Sequence, residues 1–156
     1  VTGVQTCALP ISSGALPANV SSHFDGAGAP NGFMSNQGYL VFMLAFAIGI
    51  PALVVFGIRA SLSFARNLIN IPNRDYWLSD ENRQQTIDYL SNHAAWLGTL
   101  ICLFLGYVHW LLLQANSTQP AHLSTTALFT GIGVLIAGIV LWGASLTLRF
   151  ARIPKS

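Results

Sequence analysis

Only 8% of the 156 residues are charged and 53% are hydrophobic, whereas a soluble domain carries about 25% charged residues, so the composition excludes an ordinary soluble protein and indicates a membrane protein. The formal net charge of +2, without any cluster of Lys and Arg, argues against a nucleic-acid partner. No GxGxxG, P-loop, HExxH or GxSxG motif occurs, so the enzyme classes that carry these motifs are not indicated and no cofactor is expected.

The N-terminal stretch VTGVQTCALPIS differs from the rest of the chain. It has no helix or strand period and neither the basic nor the apolar region of a signal peptide. Back-translation of residues 1–11 gives a sequence that looks like a sequencing-library adapter read in frame. We therefore expect residues 1–12 to be a disordered adapter segment. Cys102 is then the remaining cysteine, and no disulfide or paired-cysteine metal site is expected.

Three apolar runs are long enough to cross a membrane, since a span needs about 20 apolar residues. They cover residues 39–58, 94–113 and 126–148. The segments between and after them are 13–38, 59–93, 114–125 and a tail at 149–156. The sequence therefore predicts an all-α integral membrane protein with three visible transmembrane helices, in which the Gly/Pro-rich segment 13–38 is an extracytoplasmic loop.

The basic residues predict the orientation of these helices. All seven lie between the first two spans or after the third: Arg59, Arg66, Arg74, Arg83, Arg149, Arg152 and Lys155. The positive-inside rule therefore places segment 59–93 and the C-terminus in the cytoplasm. Segment 13–38 then lies outside, so we expect a fourth span upstream of it in the intact protein, unless the short polar head crosses with the first helix.

The cytoplasmic segment 59–93 is predicted to contain amphipathic helices. One apolar face indicates an interfacial helix or the end of the first span, and it is formed by Leu62, Ala65, Leu68 and Ile69. Tyr76 and Trp77 suit the headgroup layer. Ser79 is expected to cap a helix that continues into the second span.

Two features of the spans concern helix packing. Pro51 is expected to kink the first span. In the third span, Ala127 with Gly131 and Gly133 with Ala137 are pairs of small residues four apart, which allow helices to approach closely. Such pairs serve packing within the bundle or dimerisation, so the oligomeric state stays open.

The segment LPANVSSHFDGAGAPNGFMS, residues 16–35, carries the most informative pattern. Its residues predict an extended piece followed by turns at Asp25-Gly26, at Gly28 and at Pro30-Asn31-Gly32. The pattern resembles the domain of unknown function 1648 family, which also occurs at the start of SdpI-type bacterial immunity proteins. The matching positions are Leu16-Pro17, Val20, His23-Phe24, Gly28, Asn31-Gly32 and Ser35.

The resemblance implies a bacterial inner-membrane protein with this loop on the outer side of the membrane and a transmembrane helix before it. The family commonly has Pro at the position of Ser21 and a basic residue at that of Asn36. Seven residues are expected to have structural roles: Leu16, Pro17, Phe24, Gly28, Gly32, Pro51 and Gly131.

Four polar residues are candidates for a binding site: His23, Asp25, Asn31 and His109. His109 lies within a span, where an ionisable residue is costly; it either relays protons, contacts the loop, or stays neutral near the interface. His23 either binds a ligand or hydrogen-bonds within its turn. Three histidines, His23, His109 and His122, are weak metal candidates whose spacing is not a ligand motif, so no metal site is predicted.

These features favour a non-enzymatic membrane protein in the lipid bilayer, which senses or binds a protein or peptide outside through its loop. The resemblance implies a role akin to toxin immunity or envelope signalling. The alternatives are a small transporter or proton-coupled accessory subunit centred on His109, and a metal-binding membrane protein. A membrane enzyme is disfavoured because Asp25 is the only acidic residue on the outer side.

Overall fold

The computed structural model of the chain describes residues 16–64 and 69–153. The predicted adapter segment, residues 1–12, lies outside this part of the chain, as do Ala65, Arg66, Leu68 and Lys155. The elements in chain order are β1 (Asn19–Phe24), β2 (Pro30–Ser35), α1 (Asn36–Phe64), α2 (Arg74–Trp77), α3 (Arg83–Asn116) and α4 (Thr125–Ala151).

Three of the helices, α1, α3 and α4, are long and apolar enough to cross a membrane, which confirms the prediction of three helices of membrane-spanning length. They contain 29, 34 and 27 residues, so each extends beyond its apolar run at both ends. Pro51 lies inside α1, which is continuous around it. α3 is also unbroken, and it includes both the polar segment that starts at Arg83 and the apolar run that follows.

The central helix of the bundle is α3, which packs against α1 and against α4. Glycines allow close approach at both contacts: an added Cβ would meet Val55 at Gly98 and Leu100 at Gly138. Because successive helices run in opposite directions, one end of the bundle holds the hairpin and the other holds most of the arginines. We call residues 16–40 and 107–128 the hairpin end, and residues 59–64, 69–93 and 142–153 the basic end.

The segment predicted to be a loop forms an antiparallel two-stranded sheet, which the all-α description does not include. Val20 pairs with Met34 and Phe24 with Pro30, and the register is irregular around His23. The predicted turn at Pro30-Asn31-Gly32 is wrong, because these residues begin β2. Proline is tolerated at the first position of a strand, where its missing N–H is not needed.

The turn instead spans residues 25–29, where the Asp25 side chain organises the backbone. Its Oδ1 accepts hydrogen bonds from the amide N–H groups of Ala27 and Ala29, both at 2.9 Å. An Asp that bonds backbone N–H groups a few residues ahead is a common way to close a turn. The carboxylate therefore has a structural role in this hairpin.

Two clusters of buried residues lie beneath the hairpin. Val20 is 0% and Tyr39 is 1% exposed, and they pack with Met43 and Leu112. A neighbouring buried cluster consists of Leu111, Ala115 and Leu123, and Phe24 packs against both clusters. Elsewhere the helices expose large apolar side chains, as surfaces that face lipid tails do. The hairpin is thus the one described region where a strand contributes to the core.

Candidate functional site at the hairpin end

The free edge of β1 is held by the side chain of Asn116, the last residue of α3. Its Oδ1 accepts from the Ser21 amide N–H at 2.8 Å, and its Nδ2 donates to the Ser21 carbonyl at 3.0 Å. The amide group therefore satisfies both backbone groups of Ser21, as a neighbouring strand would. Ser21 stands where the resembling family commonly has Pro, and a proline could not donate this bond.

The tip of the hairpin docks on the connection before α4. The Leu123 amide donates to the Gly28 carbonyl at 2.9 Å. Gly28 has a φ of +84°, and an added Cβ would meet the Leu123 carbonyl oxygen and the His122 ring. Both the left-handed backbone and the close contact require glycine at this position. This is the structural role expected of Gly28.

The base of the hairpin is fixed to the start of α1. The Asn36 amide donates to the Ala18 carbonyl at 3.0 Å, and the Asn36 side chain donates to the Leu16 carbonyl at 3.1 Å. Ser35 Oγ accepts from the Gly38 amide at 3.1 Å, which is the usual hydrogen bond of a helix N-cap. Asn36, where the family commonly has a basic residue, therefore connects the first described residues to the helix.

Among the residues of the hairpin that these attachments leave exposed, we refer to three together as the outer face of the hairpin: His23, Asn31 and Phe33. All three side chains are exposed, and Phe33 is 64% exposed. His23 pairs with Gly32, where an added Cβ would lie 2.9 Å from the His23 Cβ. Phe33 was not identified as a candidate from the sequence. Side chains alternate between the two faces of a strand, so its position between Asn31 and Ser35 could have indicated that it is exposed like them.

Two of the predicted binding residues, His23 and Asn31, thus lie on the outer face, whereas Asp25 closes the turn and His109 lies below the hairpin. His122 lies against Gly28 at the tip. Within residues 16–64 and 69–153, no three His, Cys, Asp or Glu side chains come together in a group that could hold a metal ion.

His109 contacts the core beneath the hairpin through Tyr39. The Tyr39 hydroxyl and His109 Nδ1 are 2.8 Å apart, and the two rings stack with centroids 5.7 Å apart. Tyr39 also packs in the cluster that includes Val20 of β1. His109 is therefore linked to the hairpin through one buried side chain.

The basic end has a different structure, which the sequence did not predict. Trp77 is 3% exposed, so its ring packs within the protein. Its Nε1 donates to the Phe150 carbonyl at 3.0 Å, and Asn73 Nδ2 donates to the same oxygen at 3.0 Å. The Arg149 guanidinium lies over the Trp77 ring, 4.6 Å from its centroid. The connection before α3 therefore closes the C-terminus of α4.

The start of α3 also differs from its prediction. The helix begins at Arg83, and Asn82 is its N-cap. Ser79 does not cap it, because its hydroxyl donates to the Tyr76 carbonyl at 2.9 Å. The acidic pair Asp80 and Glu81 lies in the turn before the helix.

Gly131 has the packing role that its spacing predicted. An added Cβ would meet the Tyr107 ring, whose hydroxyl donates to the Ala127 carbonyl at 2.9 Å. Ala127 and Gly131 thus face α3 within one chain. Gly133 differs, since nothing lies near the position of an added Cβ.

Comparison with known proteins gives no match to any family model, curated protein or solved structure. The resemblance to the domain of unknown function 1648 family therefore stays a prediction.

Proposed function

We propose that this is a non-enzymatic membrane protein that recognises a protein or peptide partner through the outer face of its hairpin. The observation that carries the proposal is the attachment of the hairpin at its edge, tip and base, while His23, Asn31 and Phe33 stay exposed. A surface that is already ordered avoids the entropic cost of ordering on binding. An exposed aromatic ring flanked by hydrogen-bonding side chains is typical of a recognition surface.

The proposed location is the bacterial inner membrane, with the hairpin end outside and the C-terminus in the cytoplasm. The distribution of charge supports this orientation, because segments 13–38 and 114–125 contain no Lys or Arg. The described arginines lie at the basic end: Arg59, Arg74, Arg83, Arg149 and Arg152. Positive residues favour the cytoplasmic side.

A bound partner would affect the membrane helices through the core beneath the hairpin. Val20 of β1 packs with Tyr39 of α1 and Leu112 of α3 in one buried cluster. A displacement of β1 therefore changes the packing of α1 against α3. Such a change in helix packing is what a role in envelope signalling requires. An immunity-like role requires only that the hairpin binds and occludes the partner.

The alternative of a proton-coupled transporter centred on His109 has less support. The next histidine along α3 is His93, and sixteen residues at 1.5 Å each separate the two by about 24 Å. Between them, the Thr99 hydroxyl donates back to the Ala95 carbonyl. Among the described residues, no chain of hydrogen bonds connects the two histidines.

Complementation of a strain that lacks the gene tests the proposal, with survival during challenge by envelope-acting peptides as the readout. We expect Phe33→Ser and Asn31→Ala to restore survival at least tenfold less well than the wild type, because a residue that anchors a recognition surface contributes about 2 kcal/mol or more to binding, and about 1.4 kcal/mol is already tenfold in affinity. Leu141→Ala, a change on an exposed apolar side chain of α4, is the matched control. All variants must reach the membrane at equal levels.

The opposite pattern contradicts the proposal. If His109→Leu abolishes survival while Phe33→Ser, Asn31→Ala and His23→Ala are silent, the outer face is not the functional site. The transport alternative would then be favoured.

A further inference from the structure

An apolar groove lies between α1 and α3, below the hairpin. Its volume is about 340 Å³, which is within the usual size range of small-ligand sites. Leu44 in its wall is 64% exposed, so the groove opens on the surface that faces the membrane. The lining residues are Leu40, Met43, Leu44, Ala47, Leu105, Gly106 and His109.

Gly106 leaves this groove open without serving helix packing. An added Cβ at Gly106 would meet no atom within 4 Å. At Gly98, Gly131 and Gly138, in contrast, an added Cβ would collide with a side chain of the neighbouring helix. Glycine also weakens a helix relative to alanine. The absence of a side chain at Gly106 therefore leaves space beside His109.

His109 lines this groove, and the Nε2 of its ring has no partner among the described residues. The Tyr39 hydroxyl has no other partner in the described chain, so its proton is satisfied only when it donates to His109 Nδ1. A charged imidazole is costly within a membrane span, which favours the neutral ring. The ring proton then lies on Nε2, for which the described residues supply no acceptor. A ligand of matching polarity must therefore offer an acceptor oxygen.

The position of His109 in its span indicates a source for that oxygen. His109 precedes the end of the apolar run 94–113 by four residues, or about 6 Å along the helix. We therefore expect its ring to lie about one helical turn below the headgroups, within reach of the ester carbonyls that join phospholipid acyl chains to them.

We propose that this groove binds a membrane phospholipid, whose acyl chain lies between α1 and α3 and whose ester carbonyl accepts a hydrogen bond from His109 Nε2. The occupant is complementary to the site in both parts: the acyl chain to the apolar walls, and the carbonyl to the Nε2–H of His109. This lipid site does not depend on recognition by the hairpin.

Native mass spectrometry of the full chain tests this proposal with two probes of equal chain length, a diester and a diether phosphatidylcholine. They differ in the carbonyl groups, which the ether lacks. We expect the wild type to retain about two- to tenfold more of the diester than of the diether, because that is the difference in affinity that one hydrogen bond contributes. His109→Phe should reduce this ratio to about one. Gly106→Leu should lower the retention of both lipids, whereas Gly133→Leu, on an open face of α4, should not.

Three results would overturn the proposal. The first is equal retention of the two lipids by the wild type, which requires no variant to fold. The second is selective retention of a quinone from a membrane extract in place of phospholipid. The third is a disulfide-linked dimer of Gly106→Cys in a Cys7→Ser, Cys102→Ser background, together with lipid retention by Gly106→Leu equal to that of the wild type, which would assign the groove to contact between copies.

Discussion

At both ends of the bundle, an asparagine side chain forms hydrogen bonds with backbone groups, but the two asparagines hold different elements. At the hairpin end, Asn116 projects from a helix and holds an added strand at Ser21. At the basic end, Asn73 projects from a connection and donates to the Phe150 and Ala151 carbonyls. The first asparagine attaches an extra element, and the second completes a helix.

This difference shows which of the two ends is explained by helix packing alone. The last carbonyls of any helix need partners, and Asn73 with Trp77 supplies them for α4. The hairpin also covers buried side chains of the helices, Tyr39 and Leu112. Its edge, tip and base are attached, yet His23, Asn31 and Phe33 remain exposed. These exposed side chains are therefore the part of the hairpin end that packing does not explain.

The largest predicted effect comes from Asn116→Ala. It leaves the amide and carbonyl of buried Ser21 without partners, which we expect to lower the free energy of unfolding by about 2–4 kcal/mol. Denaturation of the purified protein in SDS measures this change, and hydrogen exchange locates it. Exchange should accelerate in β1 and stay unchanged at the basic end. Gln114→Ala, an exposed position two residues earlier, is the control; equal effects of both changes would contradict the attachment.

A smaller effect is predicted for Gly28→Ala. The positive φ and the contact with the Leu123 carbonyl should together cost about 1–3 kcal/mol of unfolding free energy. Gly26→Ala provides a matched control in the same turn, because its added Cβ would meet nothing within 4 Å. If SDS titrations give the same unfolding free energy for the two variants, the tip is not docked on the connection before α4.

The smallest effect should come from Trp77→Phe at the basic end. The change removes the Nε1–H donor to Phe150 and keeps an aromatic ring, while Asn73 still donates to the same oxygen. We expect a loss of about 1 kcal/mol in unfolding free energy, with no change in hydrogen exchange of the hairpin. Trp96→Phe, at a side chain that is 68% exposed, is the control. Faster exchange in β1 would show that the two ends are coupled.

The helices could be predicted from the sequence because length and apolarity suffice for a span. The attachments could not, since Asn116 and Ser21 lie 95 residues apart and neither has a local signal of pairing. Pro30 was misassigned because turn preferences are averages that particular contacts override. His23 and Asn31 were identified as candidates, whereas Phe33 required the strand alternation that the turn assignment had hidden.

Recognition of an external partner requires the hairpin end to lie outside the cell, so the most direct test is cysteine labelling in intact cells with a membrane-impermeant maleimide. In a background with Cys7→Ser and Cys102→Ser, single cysteines replace Ser117 at the hairpin end and Asp80 at the basic end, both exposed positions. The account predicts that Ser117→Cys is labelled in intact cells and Asp80→Cys only after lysis. Labelling of Asp80→Cys in intact cells, with Ser117→Cys protected until lysis, would contradict it.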